Sequence, residues 1–579
     1  MKAAAEQLRL PLLAVLVGLT VAVAGIGLLK LIWLITNLSF HGTVSVHEHA
    51  PDFSTLGPWG ILVPCAGGLL IGLIARFGSA EVRGHGIPEA MQGVIVKRSR
   101  ISLKIAVLKP LSTAISIGTG GPFGAEGPII ASGGAAGSLF GQAIPCSTAE
   151  RKILLAAGAA AGMTAVFGTP LAGVLLAIEL LLFEFRGRSL IPVAIAAGSA
   201  MGLRALSGES FPMLPVVSVG APGPVLSTGS VLIGLAAGAA AVFITRALHA
   251  IEDLYERLPV HWMWWPALGG LAVGVIGWID PRTLGPGYHN LRALLSGEMA
   301  AGALVLLAVF KFLSWSLCLG SGTAGGTLAP VMTLGGAAGA LVAHALQAVP
   351  GFEGMPVGLG ALVGMAAIFA GVSRALLASV AFGFEATHST SAFGPLLLGC
   401  AIAVLVSRLA MRETMMTEKL ARKGVRVPSD YEPDLLHGFT VGEAMLRQPL
   451  TVSRAVTVAE LAERMAGTEA RWSTARLIPI IDENGMLTGV ISRADVLAAM
   501  QAAPHSTVLE AGVEEPVVAH PEESLAEAAD RMIHHGIGRL PVVSRGGGQR
   551  LLGLLTRREI LQARQHRLDA ERRETPPGD

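Results

Sequence analysis

Long apolar runs alternate with short polar breaks from Leu10 to Arg408, and the alternation stops after Arg412. The runs include Leu12–Ile35, Ile61–Ile74, Val231–Ile244, Ala300–Val309 and Pro395–Val406. The longest reach the roughly 20 residues that a helix needs to cross a bilayer. Others are too short to cross alone, and Gly and Pro interrupt several of them. That pattern predicts broken or re-entrant helices sheltered inside a bundle. The first run flows into further membrane sequence, so no cleaved signal peptide is expected. Residues 1–412 therefore read as a polytopic membrane unit.

Charged text with Pro428 and Pro433 follows, as expected of a linker over 413–440. Two short soluble units come next, expected at 441–502 and 508–563, each with the order strand, helix, strand, strand, helix. Pro449-Leu-Thr-Val and Pro516-Val-Val-Ala open them, and Arg464-Met465 and Arg531-Met532 end their first helices, at an offset of 67 (516 − 449). LIPIIDENGMLTGVISRADVL from Leu477 and LPVVSRGGGQRLLGLLTRREI from Leu540 close them. The charged tail 564–579 is expected to be disordered.

Composition agrees with this division. Hydrophobic residues make up 52% and charged residues only 15%, against about 25% charge in a soluble domain, and the mean hydropathy is +0.60. With a net charge of +2, nothing suggests a nucleic-acid partner, and none is expected. Cys65, Cys146, Cys318 and Cys400 are far apart, lack metal-site spacing and read as packing residues. No metal site is expected. No nucleophile–base constellation is present, so the chain does not read as an enzyme.

The membrane unit also repeats itself. IGTGGPFGAEGP, Ile117 to Pro128, is echoed by LGSGTAGGTLAP, Leu319 to Pro330, at an offset of 202 (319 − 117). The same offset matches Ala106-Val-Leu-Lys109 with Ala308-Val-Phe-Lys311, Leu111-Ser112 with Leu313-Ser314, and Gly133–Gly137 with Gly335–Gly339. It also matches Gly162-Met163 and Phe167 with Gly364-Met365 and Phe369. Halves around 80–200 and 282–412, with interrupted helices, point to a midplane substrate site at their interface. The competing reading is a chance likeness of Gly/Ala helix-packing text, but two lysines and a Gly-Met pair keep the register too. This pattern does not say whether the halves are inverted or parallel.

Glu126 is an ionisable side chain among apolar segments, where it costs about 2.5–3.5 kcal/mol or more. Gly-rich turns occur at Gly84–Pro88, Gly124–Pro128 and Gly325–Pro330. A turn of this kind entering a helix exposes free N–H groups and the positive end of the helix dipole, and glycine lets an ion come close. Three such turns would bind an anion weakly enough to release it. Glu126 then competes with the anion for the same donors, as a gate, a proton carrier or both. Lys109 and Lys311 have two readings, shaping the potential or snorkelling. Arg374 and Glu385 read as structural or interfacial.

GHGIPE (Gly84–Glu89), GAEGP (Gly124–Pro128) and GGTLAP (Gly325–Pro330), in this order, resemble the anion-coordinating signatures of the CLC chloride channel and transporter family. GTPLAGVLLAIE (Gly168–Glu179) is similar to that family's following helix, and the two soluble units resemble CBS domains. The resemblance implies a polytopic α-helical membrane protein with inverted internal repeats and broken helices, followed by a cytoplasmic α/β tandem CBS pair. It implies a homodimer in the lipid of the cell (inner) membrane, with one path per subunit for a small inorganic anion.

The implied anion-binding residues are Gly84, His85, Gly86, Ile87, Gly124, Ala125, Gly127, Thr327, Leu328 and Met416, with Glu126 on the external gating glutamate. Ala125 stands where a basic residue is common, His85 where chloride-selective members carry serine, and Leu328 in place of a pore phenylalanine. Met416, in TMMTEKLARKG, takes the place of the central tyrosine. Chloride is thus a default. His85 is open between coordinating the anion through a ring N–H and capping a helix as neutral imidazole.

Leu180 occupies the position of the internal glutamate of exchanger-type relatives. That favours a channel-like, voltage- or pH-gated conductance over proton-coupled antiport. Glu179 has two readings, lining a water or proton path or serving as a hydrogen-bonding partner. In the CBS pair, Ser492 and Asp495, and Thr556 and Glu559, match loops that hold a nucleotide ribose, with Glu559 replacing the usual aspartate. The pair either binds an adenine nucleotide or only dimerises, and no other cofactor is required. Magnesium transporters also join membrane helices to CBS domains, but a hydrated dication would want several midplane carboxylates.

Overall fold

The computed structural model describes residues 2–208, 214, 223–425, 427, 436, 439–545, 549–563 and 565. The chain divides into two units, Met1–Val427 and Pro428–Asp579. The first unit thus runs past Arg412, where the composition changes. Residues 426, 428–435 and 437–438 of the expected linker, and 564 and 566–579 of the expected tail, lie outside the described residues.

Apolar text broken by Gly and Pro folds here into α1 (Lys2–Thr36), α2 (Leu62–Leu73), α3 (Ile87–Ile95), α4 (Leu103–Gly118), α5 (Glu126–Ala143), α6 (Thr148–Phe167), α7 (Pro170–Ala177) and α8 (Gly187–Leu206). A second series follows: α9 (Pro224–Glu256), α10 (Trp265–Ile279), α11 (Tyr288–Ser296), α12 (Ala301–Gly320), α13 (Leu328–Gln347), α14 (Val357–Ser373), α15 (Leu376–Thr387) and α16 (Phe393–Ala410). A short α17 (Glu418–Arg422) ends the unit. Among the described residues, eight helices are long and apolar enough to span a membrane. Others are too short, including α3 and α11 at nine residues each, so backbone ends fall within the bundle. Such ends are stable only where protein or ligand satisfies them.

The second series copies the first about a local two-fold axis. A Cβ on Gly68 would collide with the carbonyl of Pro266, and one on Gly270 with that of Pro64. Gly72 and Met263 repeat this exchange as Gly274 and Ile61. Gly124 and Gly326, equivalent by the 202 offset, donate to each other's carbonyls at 3.1 and 2.9 Å as an antiparallel bridge. A residue can pair antiparallel with its own copy only when a two-fold axis passes between them, so a local two-fold axis relates the halves, the relation that inverted repeats require.

The register of the repeat is not constant. Gly133 closes on Gly158 where α5 meets α6, and Gly335 closes on Gly364 where α13 meets α14. The copy of Gly158 is therefore Gly364, an offset of 206 (364 − 158), and α7/α15 and α8/α16 start at the same spacing. This corrects the expected match of Gly162-Met163 and Phe167 to Gly364-Met365 and Phe369. Four residues are about one helical turn, so Gly/Ala text slipped by a turn presents the same face to a neighbour.

In the second unit, β1 (Val452–Ser453), β2 (Leu477–Ile481), β3 (Leu487–Ser492) and β4 (Val513–Glu514) form one sheet in that order, parallel between β1 and β2 and antiparallel beyond. β5 (Arg539–Val543) and β6 (Leu551–Thr556) form an antiparallel pair, and Ala519 bridges Val542 in parallel. Helices Val458–Ala466 and Leu525–His534, again 67 apart (525 − 458), start at capping boxes, Thr457 with Glu460 and Ser524 with Glu527. Each lays one apolar face on its own core. Val458, Leu461 and Met465 meet Ile478 and Ile480, while Leu525, Ala528 and Met532 meet Leu540 and Val542.

Candidate functional site

Three helix N-termini meet around the axis. Gly84 and Gly86 have φ of 101° and 100°, which L side chains resist, and this turn feeds α3. Glu89 folds back to accept from Gly86 N at 2.6 Å. Gly86 abuts the backbone of Gly127, whose own missing Cβ would strike the His85 carbonyl. Gly84 bridges Ala324, and Gly124 pairs with Gly326. The starts of α3, α5 and α13 are thereby packed backbone to backbone, with Ile87, Ala125, Thr327 and Leu328 buried at them. Pro88, Pro128 and Pro330 sit in first turns, where a missing N–H breaks no helical bond.

Glu126 is the first residue of α5 and is 0% exposed. Its carboxylate folds back over Gly124, and any side chain at Gly124 would overlap it. A Cβ on Gly326 would stand 3.0 Å from Oε2. The Tyr288 hydroxyl donates to Oε1 at 3.3 Å and accepts from Ala125 N at 3.4 Å. Tyr288 begins α11, a fourth N-terminus at the site that the sequence reading missed. A signal was present: Gly285-Pro286-Gly287-Tyr288 copies Gly84-His85-Gly86-Ile87 at an offset of 201 (288 − 87). Leu328, the copy of Glu126, is buried without a charge.

His85 is 1% exposed and its Nδ1 has no hydrogen-bond partner. A buried polar atom left so is costly unless something arrives to bond it. Met416 is fully buried ahead of α17, and α17 packs on α3. Lys419–Glu252 at 2.7 Å, Arg422–Asp253 at 2.8 Å, and His249 Nε2 2.6 Å from Glu418 tie that segment to α9.

The two buried lysines do not snorkel. Lys109 Nζ donates to the carbonyls of Val82 and Gly84, both at 2.9 Å, and Lys311 Nζ to those of Thr283 and Gly285, both at 3.0 Å. Each engages acceptors of a turn that would otherwise repel an anion. A cavity of about 470 Å³ beside Gly84 is lined by Arg83, Lys97, Lys109, Lys419 and Lys423, against Glu81 and Glu89. Its cationic excess raises the local anion concentration.

Glu179 lies in a single π-helical turn, Ile178–Leu182, together with the buried Leu180. Its oxygens accept from Leu377 N and Ala378 N at 2.9 and 2.8 Å, at the start of α15. Glu385 does the same for Leu171 N and Ala172 N at the start of α7, at 2.9 and 2.8 Å. The two carboxylates exchange helix caps across the repeat. In the second unit, Ser492 and Asp495 form a capping box, with Asp495 Oδ2 accepting from Ser492 N at 2.8 Å. Thr556 N donates to Glu559 Oε2 at 3.1 Å, and Thr556 Oγ1 bonds the same oxygen. Within each pair, the hydroxyl residue and the acid are engaged with each other.

Inverted repeats that turn broken-helix N-termini to one point, with a carboxylate lying across it, define an anion-transport membrane protein. The chain belongs to the voltage gated chloride channel family, the CLC family: that family's profile matches residues 67–408, and the CBS domain profile matches 441–502 and 511–566. It is 29% identical over 374 residues to the putative chloride channel protein ClcB-like of Ralstonia nicotianae, covering 63% of this chain and 86% of that one. It is 27% identical over 423 residues to the H(+)/Cl(-) exchange transporter ClcA of Salmonella paratyphi B, covering 71% and 88%. The fold is similar to that of a slow cyanobacterial Cl-/H+ antiporter, with a TM-score of 0.64 and 22% identity over 72% of this chain and 98% of that one.

Proposed function

We propose that the chain conducts a small anion, chloride by default, through a path that Glu126 closes in channel-like fashion. The observation that carries this reading is the Glu126 carboxylate folded over Gly124, where the starts of α5 and α13 meet. In that position the carboxylate takes the place of an anion, and protonation or voltage moves it aside. His85, with an open ring nitrogen, supplies a side-chain donor where α3 begins. Leu180 holds no proton, and Glu179 spends both oxygens on the α15 cap, which supports conductance over strict coupling. A homodimer in the inner membrane with its CBS pair in the cytoplasm, and an adenine nucleotide as a regulator of that pair, complete the proposal.

Proton-coupled antiport is the second reading, favoured by the 27% identity to a relative named as an H(+)/Cl(-) exchange transporter. CBS-regulated divalent cation transport finds less support, because the groups that converge at the site are N–H and O–H donors. Purified protein in vesicles, with anion flux and proton movement recorded with and without a proton gradient, separates the three. The expected result is anion flux without stoichiometric proton movement. Stoichiometric protons would replace the channel reading with antiport, and cation-only flux would overturn the anion path.

A further inference from the structure

We propose that Tyr288 is the latch of the gate, a hydroxyl contributed by the second half that holds the Glu126 carboxylate of the first half across the path. The inference rests on the reading of Glu126 as the gate and adds what keeps that gate shut. A buried carboxylate needs donors. The Tyr288 hydroxyl is a side-chain donor to Oε1, at 3.3 Å, and it is buried with Glu126. Its ring stands edge-on to Phe167, with centroids 6.1 Å apart and planes at 89°, which limits where the hydroxyl can go.

The backbone beneath the tyrosine is fixed as firmly. Gly287, with φ 74°, caps the start of α11, and Lys311 holds the carbonyls of Thr283 and Gly285 just ahead of it. The copy of Tyr288 in the first half is Ile87, which has no polar group. The latch is one-sided, like the gate it holds. Its bond is long for O–H···O, so its contribution falls in the range of a single neutral hydrogen bond.

The test is a double-mutant cycle on the full chain in vesicles, with chloride flux at neutral pH as the readout and melting in detergent as the folding control. Y288F keeps the ring and its contact with Phe167 while deleting the donor. With Glu126 present, Y288F is expected to raise flux roughly 2- to 10-fold, the equivalent of one net hydrogen bond. In the E126A background, which removes the acceptor along with the gate and is itself faster than the unaltered protein, Y288F is expected to add nothing. A structural role for Tyr288 would change flux equally in both backgrounds, and that result overturns the latch. So does an unchanged flux in Y288F while E126A is faster. If E126A itself leaves flux unaltered, the gate reading fails first and the latch falls with it.

Discussion

Lys109 and Lys311 do the same work at copies of one turn, whereas Glu126 and Leu328, at copies of one helix start, do not. Glu179 and Glu385 likewise trade the same cap, while Ile87 and Tyr288 share a position and no chemistry. Both halves must build turns with buried carbonyls and bare N–H groups, so the residues that satisfy those turns recur. The site at the axis needs only one carboxylate. A second one, at the Leu328 position, would place like charges near each other and penalise ionisation of both. The scaffold is symmetric and the chemistry is divided, with gate and histidine on one side and apolar copy and tyrosine on the other.

The comparison can be broken at the lysines, where the largest effect is expected. K109M and K311M each strand at least two buried carbonyls, at about 1–3 kcal/mol apiece. Each is expected to cost about 3 kcal/mol or more, read as a lowered melting temperature in detergent, with the two losses matching closely. A large loss from one and none from the other would contradict the shared role. The exchanged caps come next. E179A and E385A each free two N–H groups and are expected to cost about 1–2 kcal/mol. If Glu179 carried protons as well, E179A alone would change proton movement in vesicles, whereas equal behaviour of the pair is expected.

The smallest effect lies in the CBS pair, where symmetry is also incomplete. Arg531 pairs with Glu523 at 2.9 Å, whereas its copy Arg464 lies 5.9 Å over the Trp472 ring and Val456 stands where Glu523 would. Burial pushes the Glu523 carboxyl up, but the Arg531 bonds and the His520 amide outweigh it and leave it below the ordinary 4.5. A lowered folded value means stability that is present above about 4.5 and lost as pH falls through the lower folded value. E523Q is expected to cost about 1 kcal/mol at pH 7, discounted for solvent screening, and the cost is expected to shrink as acid protonates Glu523. Hydrogen exchange over residues 519–543 reads this, and a gap that does not narrow as pH falls would contradict it.

Much of the frame was legible in the chain. The apolar runs became helices, and GHGIPE, GAEGP and GGTLAP became the meeting N-termini. The echo around Glu126 became a two-fold pairing of Gly124 with Gly326. The constant offset was not legible past α5. The connection from α13 to α14 (348–356) is longer than that from α5 to α6 (144–147), and Gly/Ala text conceals a slip of one turn. Tyr288 was not legible because its turn is copied at 201 rather than 202, and the position of the family's central tyrosine, at the end of the membrane unit, is taken by Met416. Glu179 was ambiguous in sequence, because the amides it caps are some two hundred residues away.

The central claim is that Glu126 closes an anion path, and E126Q tests it most directly. Glutamine keeps the shape of the carboxyl group and cannot take the charge. In vesicles, the unaltered protein is expected to pass more chloride as pH falls, while E126Q passes chloride freely with a rate that no longer depends on pH. E126Q flux equal to that of the unaltered protein at every pH would contradict the account.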